Sequence, residues 1–339
     1  MQLLRTVAEV RALRKKLDER VNTRQRIAVV MTMGALHEGH ESLIRAAKFA
    51  GAFVLVTIFV NPLQFAAGED LERYPRTEPA DVARCANLGV EAVFAPLDSN
   101  ELYPRGIAEQ TVVDVPSGRP SHHPRSEGAF RPTFFRGVAT VVSKLLHIVH
   151  PDDAWFGAKD AQQCCVVRHM VRDLNMPVTI RIGSTYRERS GLAMSSRNQY
   201  LTAKERETAA VIYRALCAGR DNWAACCQKR SMHGESACYG DLWQAASTTL
   251  SVIQTEPSMH VQYIGLSDAD DWQDLGGGYP VEPQRLDLRG DTPLPSTLST
   301  AVMAVAVFVG STRLIDNIRL TVQIENGRGE MEVPTEALE

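Results

Sequence analysis

The chain has 339 residues, is 44% hydrophobic and 23% charged, and carries a formal net charge of −3. This balance gives no electrostatic basis for binding nucleic acid or a membrane surface. No apolar run reaches the roughly 18 residues of a membrane-spanning helix, and residues 3–26 are too charged for a signal peptide.

A soluble chain of this length is expected to form two domains. Its seven cysteines include the adjacent pairs Cys164-Cys165 and Cys226-Cys227, which are poor disulfide partners. A reducing, cytoplasmic setting is therefore expected, with no catalytic role for cysteine. Leu4, Val7, Val10, Leu13 and Leu17 recur at helical spacing, so residues 3–20 are predicted as an amphipathic helix. Residues 27–33 are apolar and β-branched and read as a buried strand. A Gly34- and Gly39-bearing turn follows, then an amphipathic helix over 41–48. Residues 53–60 form a near-continuous apolar run, as in a strand covered on both faces, and end at Asn61-Pro62.

Further along, 78–88 suits a helix, 91–95 and 111–115 suit short strands, and the Pro-, Ser-, Gly- and His-rich stretch 116–132 reads as a mobile loop. Helix 137–150, strand 154–156, helix 162–174 and strand 178–182 follow. This alternation predicts a parallel sheet with helices on both faces. The character changes near Arg187, placing domains at 1–186 and 187–339. The second part has a helix over 202–216, a polar Cys- and Trp-bearing stretch 218–247, a Gly- and Pro-rich insertion 276–299 and a β-branched run 301–309.

Four turns at predicted strand ends carry chemistry. His37 and His40, three apart, share one face of a helix start, where backbone N–H groups and the helix dipole favour phosphate. Imidazoles there can donate to phosphate oxygens. A zinc site would need a third ligand at recognisable spacing, and solvated histidines remain a plain alternative. Gln64 lies past a strand end and offers a donor and an acceptor to a hydroxyl group. Gly157-Ala-Lys-Asp160 sets a cation and a carboxylate beside a helix start, with Gln163 on the face of Asp160. Met194-Ser-Ser-Arg197 brings two hydroxyls and a guanidinium fork, both good phosphate ligands.

Together, Met33-Gly-Ala-Leu-His-Glu-Gly-His40, Phe59-Val-Asn-Pro-Leu-Gln-Phe65, Tyr74-Pro-Arg-Thr77, Phe156-Gly-Ala-Lys-Asp-Ala-Gln-Gln163 and Gly191-Leu-Ala-Met-Ser-Ser-Arg-Asn198 resemble the pantothenate synthetase (pantoate–β-alanine ligase) family. The likeness returns at Gly310-Ser-Thr-Arg-Leu-Ile-Asp-Asn317. It implies a Rossmann-like doubly wound parallel sheet of the nucleotidyltransferase and class I synthetase type, with a smaller α+β C-terminal domain. It also implies a cytoplasmic homodimer in pantothenate and coenzyme A biosynthesis. Pantoate would be adenylated by Mg2+-ATP with release of pyrophosphate, and the amine of β-alanine would then displace AMP.

The resemblance assigns ATP binding to Met33, Gly34, Ala35, Leu36, His37, Glu38, Gly39 and His40. It continues through Gly157, Ala158, Lys159, Asp160, the backbone of Tyr186, Met194, Ser195, Ser196 and Arg197. His40 would be a proton donor, with His37, Lys159 and Arg197 also catalytic. Gln64 and Gln163 would hold pantoate, Gln64 would also meet β-alanine, and Asp81 would lie near Mg2+.

The chain departs from the family pattern at Met31 (usually Pro), Phe134 (commonly His) and Ala161 (usually aromatic). Two other readings use the same residues. A nucleotidyltransferase would need an extra cationic site for a substrate phosphate, whereas Gln64 and Gln163 suit a neutral diol. A catalytically silent nucleotide-binding module would not need His37, His40, Lys159, Ser195, Ser196 and Arg197 intact.

Overall fold

The structure, a computed structural model, describes residues 1–19, 25–66, 68–280 and 290–322. Strand β1 (Gln2–Leu4) leads into helix α1 (Val7–Asp18), whose capping box joins Thr6 and Glu9. Strands β2 (Ile27–Thr32) and β3 (Phe53–Ile58) flank α2 (Glu38–Phe49). Helix α3 (Glu78–Asn87) precedes β4 (Ala92–Phe94). After the short α4 (Glu127–Phe130) come α5 (Phe134–Val149), β5 (Asp153–Gly157), α6 (Ala161–Asp173) and β6 (Thr179–Gly183). All six strands pair in parallel, in the order β1-β4-β3-β2-β5-β6.

Apolar clusters cover both faces of this sheet. One includes Val10, Leu13, Phe135, Val142 and Met170, and the other includes Leu43, Ile44, Cys85 and Trp155. Burial on both sides explains why β2 and β3 read as almost wholly apolar runs. From β2 the chain runs outward one way to β3 and β4, and β5 and β6 extend the sheet the other way. The β2/β5 pair, with Val30 beside Trp155, is thus the point where strand order reverses. Open α/β sheets bind ligands at such a crevice, beyond the carboxyl ends of the strands.

The remaining elements are α7 (Ala203–Ala209), α8 (Val211–Met232), α9 (Tyr239–Ile253), and strands β7 (Met259–Asp268), β8 (Thr300–Val309) and β9 (Thr312–Thr321). The last three form an antiparallel sheet, with Leu216, Leu242, Ile253, Leu266 and Val305 among the cluster beneath α8 and α9.

Several expectations need correcting. Residues 2–4 are an edge strand, because Gln2 to Leu4 pair with Ala92 to Phe94 before the helix begins at Val7. Residues 111–115 form no strand. There the Val113 N–H goes to the Thr140 hydroxyl instead of a neighbouring strand. The stretch 116–132 is no mobile loop: Ser117, His123, Arg125, Ser126 and Glu127 are buried, each with partners from distant parts of the chain or from its own turns. The polar stretch 218–247, for which the composition suggested no element, is largely helical, in α8 and α9. Within the 276–299 insertion, residues 281–289 lie outside the described part. All seven cysteines are free thiols.

Candidate active site

At the end of β2 the chain takes left-handed conformations at Gly34 (φ 83°) and Ala35 (φ 49°), turning sharply into α2. A side chain at Gly34 would meet Asp81 and Ile58 as well as the unfavourable φ. Asp81 fixes this turn from behind. Its carboxylate accepts the Ala35 N–H at 2.9 Å, the Leu36 N–H at 2.7 Å and the Thr77 hydroxyl at 3.1 Å. Asp81 is 2% exposed and braces the turn, with the Ala35 and Leu36 amides both directed at its carboxylate.

His37 caps α2. Its Nδ1 accepts the Gly39 N–H at 3.2 Å, and His40 Nδ1 accepts the His37 N–H at 3.4 Å. A Cβ at Gly39 would press on the His37 ring at 3.0 Å, which explains the glycine between the two rings. The ring centroids are 4.0 Å apart. Burial lowers the His37 pKa to about 4, and nearby Lys159 adds to the effect. His40 is pushed well below the ordinary range by burial, then by His37 and Lys159. Because each Nδ1 accepts a backbone proton, each neutral ring carries its own proton on Nε2. The turn thus presents two uncharged N–H donors.

At the end of β5, Lys159 Nζ stands 3.2 Å from Asp160. Asn317 of β9 donates from Nδ2 to the carbonyls of Ala158 (3.0 Å) and Lys159 (2.8 Å), tying this turn to the small sheet. Past β3, Asn61 donates to Gln64 Oε1 at 2.9 Å and to the Gly137 carbonyl at 3.2 Å, while accepting the Tyr103 hydroxyl at 2.8 Å. The amide orientation of Gln64 is therefore set, with its NH2 group left to donate. Beyond β6, Met194 N–H donates to the Tyr186 carbonyl at 3.0 Å, and the Ser196 and Tyr74 hydroxyls are 3.0 Å apart. Arg197 is gripped side-on by Asp70, Nε to Oδ2 at 3.0 Å and Nη2 to Oδ1 at 2.8 Å.

These turns open on one cavity of about 570 Å³. Met33, His37, Gly39 and His40 line it from β2, and Gln64 from beyond β3. Gly157, Lys159, Asp160 and Gln163 line it from β5 and α6. Tyr186, Met194 and Ser195 to Arg197 complete that part of the wall. Gly34, Ala35, Leu36, Glu38 and Ala158 do not line it. The first three are buried within the turn, and Glu38 faces solvent.

The far wall went unread in the sequence. Buried Glu127 accepts the Tyr263 hydroxyl at 3.1 Å and pairs with Arg313 of β9 at 3.0 and 2.5 Å. Burial pushes its carboxyl up, but Arg313 and Arg131 outweigh this and hold it below the usual range. Arg131 pairs with Glu69 at 2.8 and 2.6 Å and lies 3.8 Å over the Phe134 ring. Arg313 and Asn317 stood in the Gly310–Asn317 likeness, which was their signal. Glu69 and Asp70 had none.

The sequence profile of the family described as Pantoate-beta-alanine ligase matches residues 2–319. The chain belongs to the pantoate–β-alanine ligase family. It is accordingly an ATP-dependent ligase joining pantoate to β-alanine. Among its relatives are the pantothenate synthetases of Streptomyces avermitilis, 42% identical over 94% of this chain and 97% of theirs, and of Thermobifida fusca, 44% identical over 94% and 95%. The solved pantothenate synthetase of Thermus thermophilus superposes with a TM-score of 0.73 at 36% identity, covering 94% of this chain and 99% of that one. The Francisella tularensis pantoate–β-alanine ligase, solved with a β,γ-ATP compound and β-alanine, gives a TM-score of 0.66 at 28% identity, over 94% and 97%. In this pantoate–β-alanine ligase the cavity brings cations and neutral N–H donors together with two glutamine amides.

Proposed function

We propose that this ligase works through a pantoyl adenylate, with His37, His40, Lys159 and Ser195 to Arg197 around the phosphates and Gln64 and Gln163 around pantoate. The observation that carries this reading is the convergence, at the β2/β5 crevice, of two neutral imidazole donors, a lysine and an arginine on one cavity with the two glutamines. A pantoate carboxylate oxygen attacks the α-phosphorus, and the bond from that phosphorus to the bridging oxygen breaks to release pyrophosphate. The amine of β-alanine then attacks the acyl carbon, and AMP departs carrying the carboxylate oxygen that had attacked. Transfer at phosphorus asks for positioning and charge stabilisation more than for a nucleophilic side chain. His40 Nε2–H and Lys159 serve the charge that gathers on the leaving oxygens, and Gln64 NH2 serves a pantoate oxygen.

Mg2+ enters with ATP and offsets polyphosphate charge. Among the described residues no three His, Cys, Asp or Glu side chains converge, and Asp81 is committed to the backbone. That donor set fits a cation held mainly by phosphate oxygens and water. We further infer a cytoplasmic homodimer, with residues 1–186 as the nucleotide and pantoate domain and 187–339 closing over it. The contacts of Asn317 with the Ala158 and Lys159 carbonyls (3.0 and 2.8 Å), which cross from β9 to the end of β5, support a closing role for the small sheet. No helix among the described residues is long and apolar enough to cross a membrane.

The test is pantoate labelled with oxygen-18 in its carboxylate, incubated with ATP and β-alanine. One label should appear in AMP for each pantothenate formed. With pantoate and ATP alone, pyrophosphate should form to about one equivalent per site. ADP and inorganic phosphate as products would overturn the adenylate route.

A further inference from the structure

Two guanidiniums at the cavity are already matched by carboxylates that are neighbours in sequence. Arg197 is paired side-on with Asp70, and Arg131 with Glu69. Both carboxylates belong to the connection between β3 and α3, which also reaches Ser196 through the Tyr74 hydroxyl. The Asp70 pair is well formed. Its two bonds use Nε and Nη2 of Arg197, the same fork that binds a phosphate oxygen pair. Side-chain exposures are 12% for Asp70 and 28% for Arg197, so solvent screens the pair only in part. The Tyr200 hydroxyl adds a longer contact to Asp70 at 3.4 Å.

A polyphosphate reaching Arg197 therefore meets a guanidinium whose preferred edge is occupied. Binding must exchange one anion for another, and the apparent affinity falls by the fraction of Arg197 that Asp70 retains. The same exchange run backwards helps a polyphosphate leave. We propose that Asp70 is a positioning residue that competes for Arg197, so that the site holds pyrophosphate weakly enough to release it. Glu69 has no such part, because its partner Arg131 sits on the Gln64 side of the cavity, donating to the Gln64 carbonyl at 3.0 Å. The proposal rests on the reading of Arg197 as a phosphate ligand and goes beyond it by assigning Asp70.

Product inhibition by pyrophosphate against ATP, together with the KM for ATP, tests this on the full-length enzyme. Asp70→Asn removes the competing charge while keeping the side-chain shape. Pyrophosphate inhibition should tighten roughly three- to thirtyfold, less than a fully buried charge-assisted pair would give because both groups keep some solvent contact. The KM for ATP should fall in the same direction. Asp70→Glu, which restores the charge, should return the inhibition constant toward the wild-type value. Glu69→Gln should leave it unchanged. Unchanged or weaker pyrophosphate binding in Asp70→Asn overturns the proposal, as does equal behaviour of the Asn and Glu variants, which would mark Asp70 as packing alone. Arg197→Gln, which removes the cation, separates the two readings: if it leaves pyrophosphate inhibition unaltered, Arg197 is no phosphate ligand and the underlying assignment fails first.

Discussion

Replacing Asp81 tests the site at its foundation. In Asp81→Ala the amides of Ala35 and Leu36 lose their acceptor inside a turn that is nearly sealed from water, Ala35 being 3% and Leu36 6% exposed. An orphaned buried N–H costs about 1–3 kcal/mol, so two cost about 2–6 kcal/mol. That is a large part of the roughly 5–15 kcal/mol by which a folded domain is stable. Asp81→Asn keeps the shape and one acceptor oxygen and should lose about half as much. The same loosening displaces His37 and His40, whose cap begins one residue beyond Leu36. Turnover should therefore fall together with the urea midpoint. Both variants should be compared in urea unfolding and in initial rates across a Mg2+ titration. The expected result is a lowered midpoint with an unchanged half-saturating Mg2+ concentration. A raised Mg2+ requirement with normal unfolding would refute the reasoning and return Asp81 to the metal.

His40→Ala and Lys159→Ala should lower turnover by about 10²–10³, the usual effect of removing one charge-stabilising donor, with a much smaller change in ATP affinity. Near-normal single-turnover adenylation in a merely destabilised His40→Ala enzyme would reduce the histidine to a helix cap. Gln64→Ala should raise the KM for pantoate roughly five- to a hundredfold, as expected for a lost buried hydrogen bond of about 1–3 kcal/mol, and leave that for ATP nearly unchanged. Burial lowers His123 to about 4, against the opposing pull of Asp274. Between about pH 6.5 and 4 the unfolded chain binds a proton that the native state refuses, so stability is full above this window and declines as the pH falls through it. A shift of that size is worth on the order of 3 kcal/mol. His123→Gln should flatten the decline in chemical unfolding without abolishing it, since His37 and His40 are shifted the same way. An unaltered slope would show that His123 is not buried uncharged.

The sequence by itself determined the parallel sheet and the positions of the polar turns at its strand ends. Runs such as 27–33 and 53–60 are almost wholly apolar because both faces of the sheet are covered, and that burial leaves a pattern signal needing no knowledge of partners. His37, Lys159 and Arg197 were legible for a related reason. Each sits at a local break between strand and helix, where Gly and polar residues cluster along the chain. Only tertiary structure decided what Asp81, Asp70, Glu127 and the stretch 116–132 do. Asp81 has the look of an ordinary first-turn carboxylate of α3, and nothing near it in sequence says that the amides it accepts from lie 45 and 46 residues away. Arg313 and Glu127 are separated by 186 positions. The composition of 116–132 reads as solvated because its polar groups find partners at Leu266, Asp271, Asp274 and Gln162, on elements that a local window never contains. Secondary structure is written in short-range patterns, whereas a buried polar group is satisfied wherever the fold brings a partner.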